Sequence, residues 1–114
     1  MTSVSLTGFG QGSVAWGDYN NDGYQDILLT GWTDFDQATV IYMNNGNSTF
    51  TLQTTINLTG LFISSVAWAD FDNDSDLDIL ITGTTSGNTL DSKTIIYRND
   101  NGSFVELTSN INVV

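Results

Sequence analysis

The 114-residue chain has no cysteine, no histidine and no proline, and only two basic side chains, Lys93 and Arg98. Each absence removes a class of function. Without cysteine there is no disulfide, no thiolate metal site and no thiol nucleophile. Without histidine the commonest general base and the commonest transition-metal ligand are missing. Two cations cannot build the basic patch that nucleic acid or an anionic membrane surface requires. No apolar run approaches the roughly 20 residues that span a bilayer, so membrane insertion is not expected either. No signal-peptide pattern opens the chain.

What is present is acid and β-forming residues. Thirteen acidic side chains give a formal net charge of −11, and 39% of residues are hydrophobic, enough to argue against wholesale disorder. The length suits one small domain. Thr, Val, Ile and aromatics are abundant, as in strands.

The acids are clustered. Eight of the 13 fall in two nine-residue stretches, Asp18-Tyr-Asn20-Asn-Asp22-Gly23-Tyr-Gln-Asp26 and Asp70-Phe-Asp72-Asn-Asp74-Ser75-Asp76-Leu-Asp78. Like charges at close range are costly without a counter-cation. Oxygen side chains stand at positions 1, 3, 5 and 9 of each stretch, with a bend expected at position 6. That donor set suits a hard cation seeking six to eight oxygens, which is calcium. The loops are not EF-hands, because position 12 is Leu29 or Ile81 rather than a bidentate Glu, and the flanks have no helical period.

The loops belong to a longer repeat. Residues 7–31 align without gaps with 59–83, at 14 identities in 25 positions. Ser13-Val-Ala-Trp16 recurs as Ser65-Val-Ala-Trp68, and Thr39-Val-Ile-Tyr42 returns as Thr94-Ile-Ile-Tyr97, so the period is 52 to 55 residues. Each repeat is predicted to form four strands. These are Ser13–Gly17, Ile27–Thr30, Thr39–Met43 and Phe50–Thr54, then Ser65–Ala69, Ile79–Thr82, Thr94–Arg98 and Phe104–Thr108. The second strand is apolar on both faces and is predicted to be buried on both sides. Turn formers Asn44-Asn-Gly46 and Asn99-Asp-Asn-Gly102 follow the third strand. The predicted fold is all-β, with two four-stranded propeller blades per chain, residues 1–58 and 59–114. A β-sandwich is the competing reading, although it does not require the internal repeat.

These stretches resemble the FG-GAP/VCBS repeat family of integrin α-subunit propellers and many extracellular proteins. The resemblance rests on Val14-Ala-Trp-Gly-Asp18 through Asp26-Ile-Leu28 and on Ile96-Tyr-Arg-Asn-Asp-Asn-Gly-Ser-Phe104. It covers nearly the whole chain as two consecutive repeats. It implies about one calcium ion per loop, two per chain, held by side chains at positions 1, 3, 5 and 9 and by the main-chain carbonyl of position 7. Carried over, the ligands are Asp18, Asn20, Asp22, Tyr24 and Asp26 in the first loop. In the second they are Asp70, Asp72, Asp74, Asp76 and Asp78, with Tyr24 and Asp76 acting through the backbone. Family loops usually carry Gly at position 6. Gly23 conforms, whereas Ser75 departs and is expected to cost about 1 kcal/mol if a left-handed backbone is needed.

The resemblance implies a non-catalytic, extracellular module for recognition, adhesion or scaffolding, stabilised by calcium. Acids outside the loops (Asp34, Asp36, Asp91, Asp100 and Glu106) are scattered, and with no histidine or cysteine an enzyme is not expected. Trp16 and Trp68 are read as repeated packing residues. Trp32, which has no counterpart in the second repeat, is the one candidate ligand-stacking residue. The alternative function is an oligomeric propeller lectin that binds glycans through Trp32. Sequons at Asn47, Asn57, Asn73 and Asn101 permit glycosylation and establish nothing further.

Two blades do not close a propeller, which has roughly four to eight. The expected partner is the chain itself, in a cyclic homo-oligomer, three copies giving six blades or four giving eight. The rival explanation is an excerpt of a longer array or an engineered minimal unit.

Overall fold

The computed structural model describes residues 10–32, 36–84 and 92–107. They form eight strands: β1 (Gly10–Gly17), β2 (Asp26–Trp32), β3 (Gln37–Asn44), β4 (Phe50–Leu52), β5 (Phe62–Ala69), β6 (Asp78–Thr84), β7 (Ser92–Asp100) and β8 (Ser103–Glu106). These make two four-stranded antiparallel sheets, ordered β1-β2-β3-β4 and β5-β6-β7-β8. Each is a plain meander, in which every strand pairs with its neighbour in sequence. Such an order needs only short connections, and it lacks the Greek-key crossings common in sandwiches.

The register repeats as well. Ser13 pairs with Thr30 and Trp16 with Ile27 in the first sheet, as Ser65 pairs with Thr82 and Trp68 with Ile79 in the second. Both first strands carry an irregularity at the same place, between Gly10 and Ser13 and between Phe62 and Ser65. The turns after β3 and β7 use left-handed residues, with φ +79° at Gly46 and +94° at Gly102. At Gly46 a Cβ would also meet the Tyr24 ring.

The sheets pack face to face, and the core lies between them. Leu28 and Ile41 of the first sheet meet Val66, Ile81 and Ile95 of the second, with Leu61 of the connecting segment fully buried beside them. The connection is tied to both sheets at Thr59. Tyr97 Oη accepts a hydrogen bond from Thr59 N at 2.9 Å, and Thr39 Oγ1 donates to Thr59 O at 2.8 Å. Within the interface Thr30 Oγ1 bonds the hydroxyls of Thr39 at 2.8 Å and Ser64 at 3.0 Å.

Two expectations are corrected. The fourth strands are shorter than predicted: β4 ends at Leu52, not Thr54, and β8 ends at Glu106. After β4, Gln53 N still donates to Ile41 O, but the chain then bends through a turn at 54–55 towards the second sheet. Thr108 lies outside the described residues. Burial of the second strands on both sides holds for β2, whose Ile27 and Leu28 are 5% and 0% exposed. In β6, Ile79 and Ile81 are buried, yet Leu80 between them is 39% exposed. The alternation places Leu80 on the face turned away from the first sheet. Val14 and Trp16 on the first sheet and Leu80 on the second thus present large apolar side chains outward, unlike the polar outer faces of a self-sufficient sandwich.

Candidate metal-binding loops

Each acidic stretch joins the first two strands of its sheet. The chain must reverse between Gly17 and Asp26, and the aspartates organise that reversal. Asp18 accepts from Asp22 N at 3.1 Å with Oδ1 and from Gly23 N at 2.8 Å with Oδ2. Asp22 Oδ1 accepts from Tyr24 N at 2.9 Å, an Asx turn. Asp26, fully buried, accepts from Tyr19 N at 3.2 Å and from Asn44 N at 2.8 Å. The last aspartate therefore pins the loop to the end of β3.

The second loop reproduces this bond for bond. Asp70 accepts from Asp74 N at 3.1 Å and Ser75 N at 2.9 Å, and Asp74 from Asp76 N at 2.9 Å. Asp78 accepts from Phe71 N at 3.1 Å and Asn99 N at 2.7 Å. Position 6 is left-handed in both, φ +90° at Gly23 and +74° at Ser75, so the serine bears the strain expected of it. Position 4 is left-handed too, at Asn21 (+58°) and Asn73 (+59°). Sequence reasoning missed this requirement, although asparagine at the same place in both loops was the available signal.

The loops draw their carboxylates together. Asp18, Asp22 and Asp26 offer oxygens that all lie within 4.8 Å of one another, as do Asp70, Asp72, Asp74 and Asp78. Asn20 Oδ1 is shielded from water and meets no hydrogen-bond donor. A shielded acceptor with no donor, in a loop of converging carboxylates, fits a cation. Asp76 is not in its cluster. Its carboxylate accepts instead from Asn21 Nδ2 of the first loop at 2.8 Å and from Asn101 N at 3.3 Å. The two loops are therefore bonded to each other. The Tyr24 side chain is exposed, and its amide serves Asp22.

The electrostatics reflect crowding. Burial raises the Asp26 carboxyl above its ordinary value, aided by the charges of Asp22 and Asp18 and opposed by the amides of Asn44 and Tyr19. Burial likewise raises Asp78, with the Asn99 and Phe71 amides opposing. Asp72 is pushed up to about 6 by desolvation, by its hydrogen bond with Asp74 and by the charges of Asp78 and Asp74. Desolvation also acts to raise Asp70, but the amides of Ser75 and Asp74 outweigh it and hold that carboxyl below the ordinary range.

The remaining candidates are dispersed. Trp32 ends β2 and is 38% exposed, while Asp34 beside it lies outside the described residues, as does Asp91. Asp100 pairs with Arg98 at 2.9 Å, and Glu106 accepts from Tyr97 Oη at 3.2 Å. A cleft of about 430 Å³ between the inter-sheet connection and β8 is lined by Thr55, Ile56, Asn57, Gly102, Ser103 and Phe104, none of them titratable. The four sequon asparagines are all exposed.

Two side chains that sequence reasoning assigned only to turns carry the loops. Asn44 Nδ2 donates to Gln25 O at 2.9 Å and its Oδ1 accepts from Gly46 N at 2.9 Å. Asn99 is fully buried. Its Nδ2 donates to Leu77 O of its own loop at 2.9 Å and to Tyr19 O of the first loop at 2.8 Å.

A sequence model described as FG-GAP-like repeat matches residues 18–81, from the first aspartate of the first loop to Ile81 of β6. No curated protein and no solved structure matches the chain. The matched span covers more than half of the sequence and takes in both acidic loops, and the chain belongs to the FG-GAP-like repeat family.

Proposed function

We propose that the chain is a non-catalytic, calcium-binding propeller module of the extracellular space. Calcium stiffens the turn between the first two strands of each blade, and the surface loops serve recognition or scaffolding. The observation that carries this reading is the duplicated donor set: clustered carboxylates in both loops, with the shielded, unbonded Asn20 Oδ1 in the first.

The side chains of Asp18, Asn20, Asp22 and Asp26 hold the first ion together with the Tyr24 carbonyl. Asp70, Asp72, Asp74 and Asp78 hold the second with the Asp76 carbonyl. Two ions would take the formal charge from −11 to −7 and relieve the repulsion from Asp78 and Asp74 that adds to desolvation in raising Asp72. Every ligand is local to one nine-residue turn, a geometry suited to bracing rather than to opening a coordination site for a substrate. An extracellular setting supplies calcium at the level that modest sites of this kind need.

Titration calorimetry on chelator-stripped protein tests the proposal. The expected stoichiometry is two ions per chain, falling to one in Asp22→Ala and one in Asp74→Ala, and unchanged in Asp34→Ala. At calcium about 100-fold above Kd each site adds about 2.7 kcal/mol to stability, so EDTA should lower Tm clearly. No binding heat together with an unchanged Tm overturns the reading.

A further inference from the structure

The repeat supplies an internal standard for the two outward faces. Val14 and Trp16, on the outer face of the first sheet, are 56% and 60% exposed. Their counterparts one repeat later, Val66 and Trp68, pack into the interface between the sheets. The second sheet shows the converse. Phe71 and Leu80 are 48% and 39% exposed, whereas their counterparts Tyr19 and Leu28 are 4% and 0%. The two outward faces are the two halves of the internal interface, held apart.

The match extends to details. Internally, Trp68 stacks on Tyr19 at 5.9 Å and 8°, and Phe104 stands 6.3 Å from Trp68 and 5.9 Å from Tyr19. On the outer face, Trp16 and Phe50 already stand 6.3 Å apart, two rings of that trio. The ring in the third position by repeat is Phe71. Asn99 Nδ2 crosses the internal interface to Tyr19 O, and the corresponding pair is Asn44 and the Phe71 carbonyl. Against Phe71 lies a depression of about 100 Å³, lined also by Ala69, Asp78, Ile79, Leu80 and Ile96. Its internal counterpart is the surface of Gly17, Tyr19, Leu28 and Ile41, against which Trp68 is seated.

We propose that a second copy of this chain docks head to tail on these faces, with Trp16 of one copy entering the Ala69–Phe71–Leu80 depression of the next. The occupant is this chain because each exposed residue finds its partner type in the chain's own repeat. The contact is heterologous and leaves one open half at each end, so it propagates until it closes. Closure gives an even number of blades, six from three copies or eight from four.

One position makes the external contact looser than the internal one. A Cβ at Gly17 would lie 2.6 Å from Cδ1 of Trp68, and the corresponding residue, Ala69, carries that Cβ. The Trp16 ring therefore sits displaced outward relative to Trp68. The contact borders the second acidic loop, since Phe71 lies within it and Asp78 also lines the depression, but it requires no bound ion, so the proposal goes beyond the calcium reading, and measurement with and without calcium separates the two.

Native mass spectrometry and sedimentation, over about a hundredfold range of concentration and with and without calcium, test the proposal. The wild type should reach three or four times the 12.4 kDa chain mass. Trp16→Glu and Leu80→Glu should each remain a folded monomer by circular dichroism, since each spoils one half of every contact. Mixed, they should form a 1:1 dimer and nothing larger, because one intact half remains on each. Ala69→Gly, which removes the crowding Cβ without disturbing a packed side chain, should assemble at several-fold lower concentration. A wild type that stays monomeric throughout assigns the faces to another occupant, such as further repeats of a longer chain, and overturns the proposal. So do variants that assemble like wild type, or a mixture of two folded monomers that does not pair. If a glutamate variant unfolds, the wild-type mass and the Ala69→Gly shift decide the matter. Loss of calcium binding with assembly intact counts against the calcium reading alone.

Discussion

Asn44 and Asn99 occupy equivalent positions in the two repeats, yet replacing them with alanine should have very different costs in a single chain. Asn99 is 0% exposed, and its side chain makes three bonds, to Tyr19 O, to Leu77 O and from Gly102 N. Truncation strands the Tyr19 carbonyl inside the sheet interface, worth about 1–3 kcal/mol for a buried acceptor left without a donor. Two further bonds nearer the surface add about 0.5–1.5 kcal/mol each. The expected loss is about 3–4 kcal/mol. The Asn99 amide keeps its bond to Asp78, so the substitution reports on the side chain. Among the described residues the Asn44 side chain makes only two bonds, both local, to Gln25 O and from Gly46 N, and water replaces both partners. Its loss should cost about 1–2 kcal/mol. Urea denaturation followed by tryptophan fluorescence in a Trp16→Glu background, where single chains are expected, measures the gap of about 2 kcal/mol. Equal costs there would refute the argument that Asn99 ties the two sheets together. In an assembled ring the gap should narrow, because Asn44 gains the Phe71 carbonyl of the next copy.

Two further outcomes follow from the loops. Ser75→Gly removes a left-handed serine at φ +74° while retaining the backbone bond to Asp70. Relief of about 1–2 kcal/mol of strain, less the entropy glycine gains in the unfolded chain, should leave a net gain of about 0.5–1 kcal/mol and a rise of a few degrees in Tm by calorimetry. The metal-free chain should also respond to pH in the direction opposite to ordinary acid denaturation. Asp72, raised to about 6 in the folded chain against an ordinary 3.8, contributes stability that is fully present below 3.8 and lost as pH rises through 6. The raised Asp26 and Asp78 act in the same sense. Tm in EDTA should therefore rise between pH 7 and pH 5, whereas in saturating calcium it should fall as protons compete for the same carboxylates. A Tm in EDTA that falls steadily over that range refutes the crowding argument. Asp70 and Asp100, held below the ordinary value, contribute stability that is lost only at lower pH, as it falls through their own depressed values.

The loops and strands were legible because two independent signals coincide in this sequence. Oxygen side chains recur at alternate loop positions, and the whole pattern recurs with the repeat, so one reading checks the other. The Ser75 departure could likewise be read in advance, since the strain follows from the residue type once glycine is expected there. The asparagine work was not legible. Asn44 and Asn99 sit in turn-like sequence, and nothing local says that one spans two sheets while the other serves only its own. That difference belongs to the third dimension, where Asn99 meets a Tyr19 brought from 80 residues away. Trp16 and Trp68 make the same point. Their local sequences are identical over Ser-Val-Ala-Trp, yet one side chain lies 60% exposed and the other is stacked on Tyr19. A repeat encodes which face of a strand is apolar, and it does so equally in every copy. Whether that face is covered depends on what stands next in the array, and local sequence does not contain that neighbour. The identity of the two motifs therefore predicts an interface, and their unequal burial marks where the series of contacts is left open.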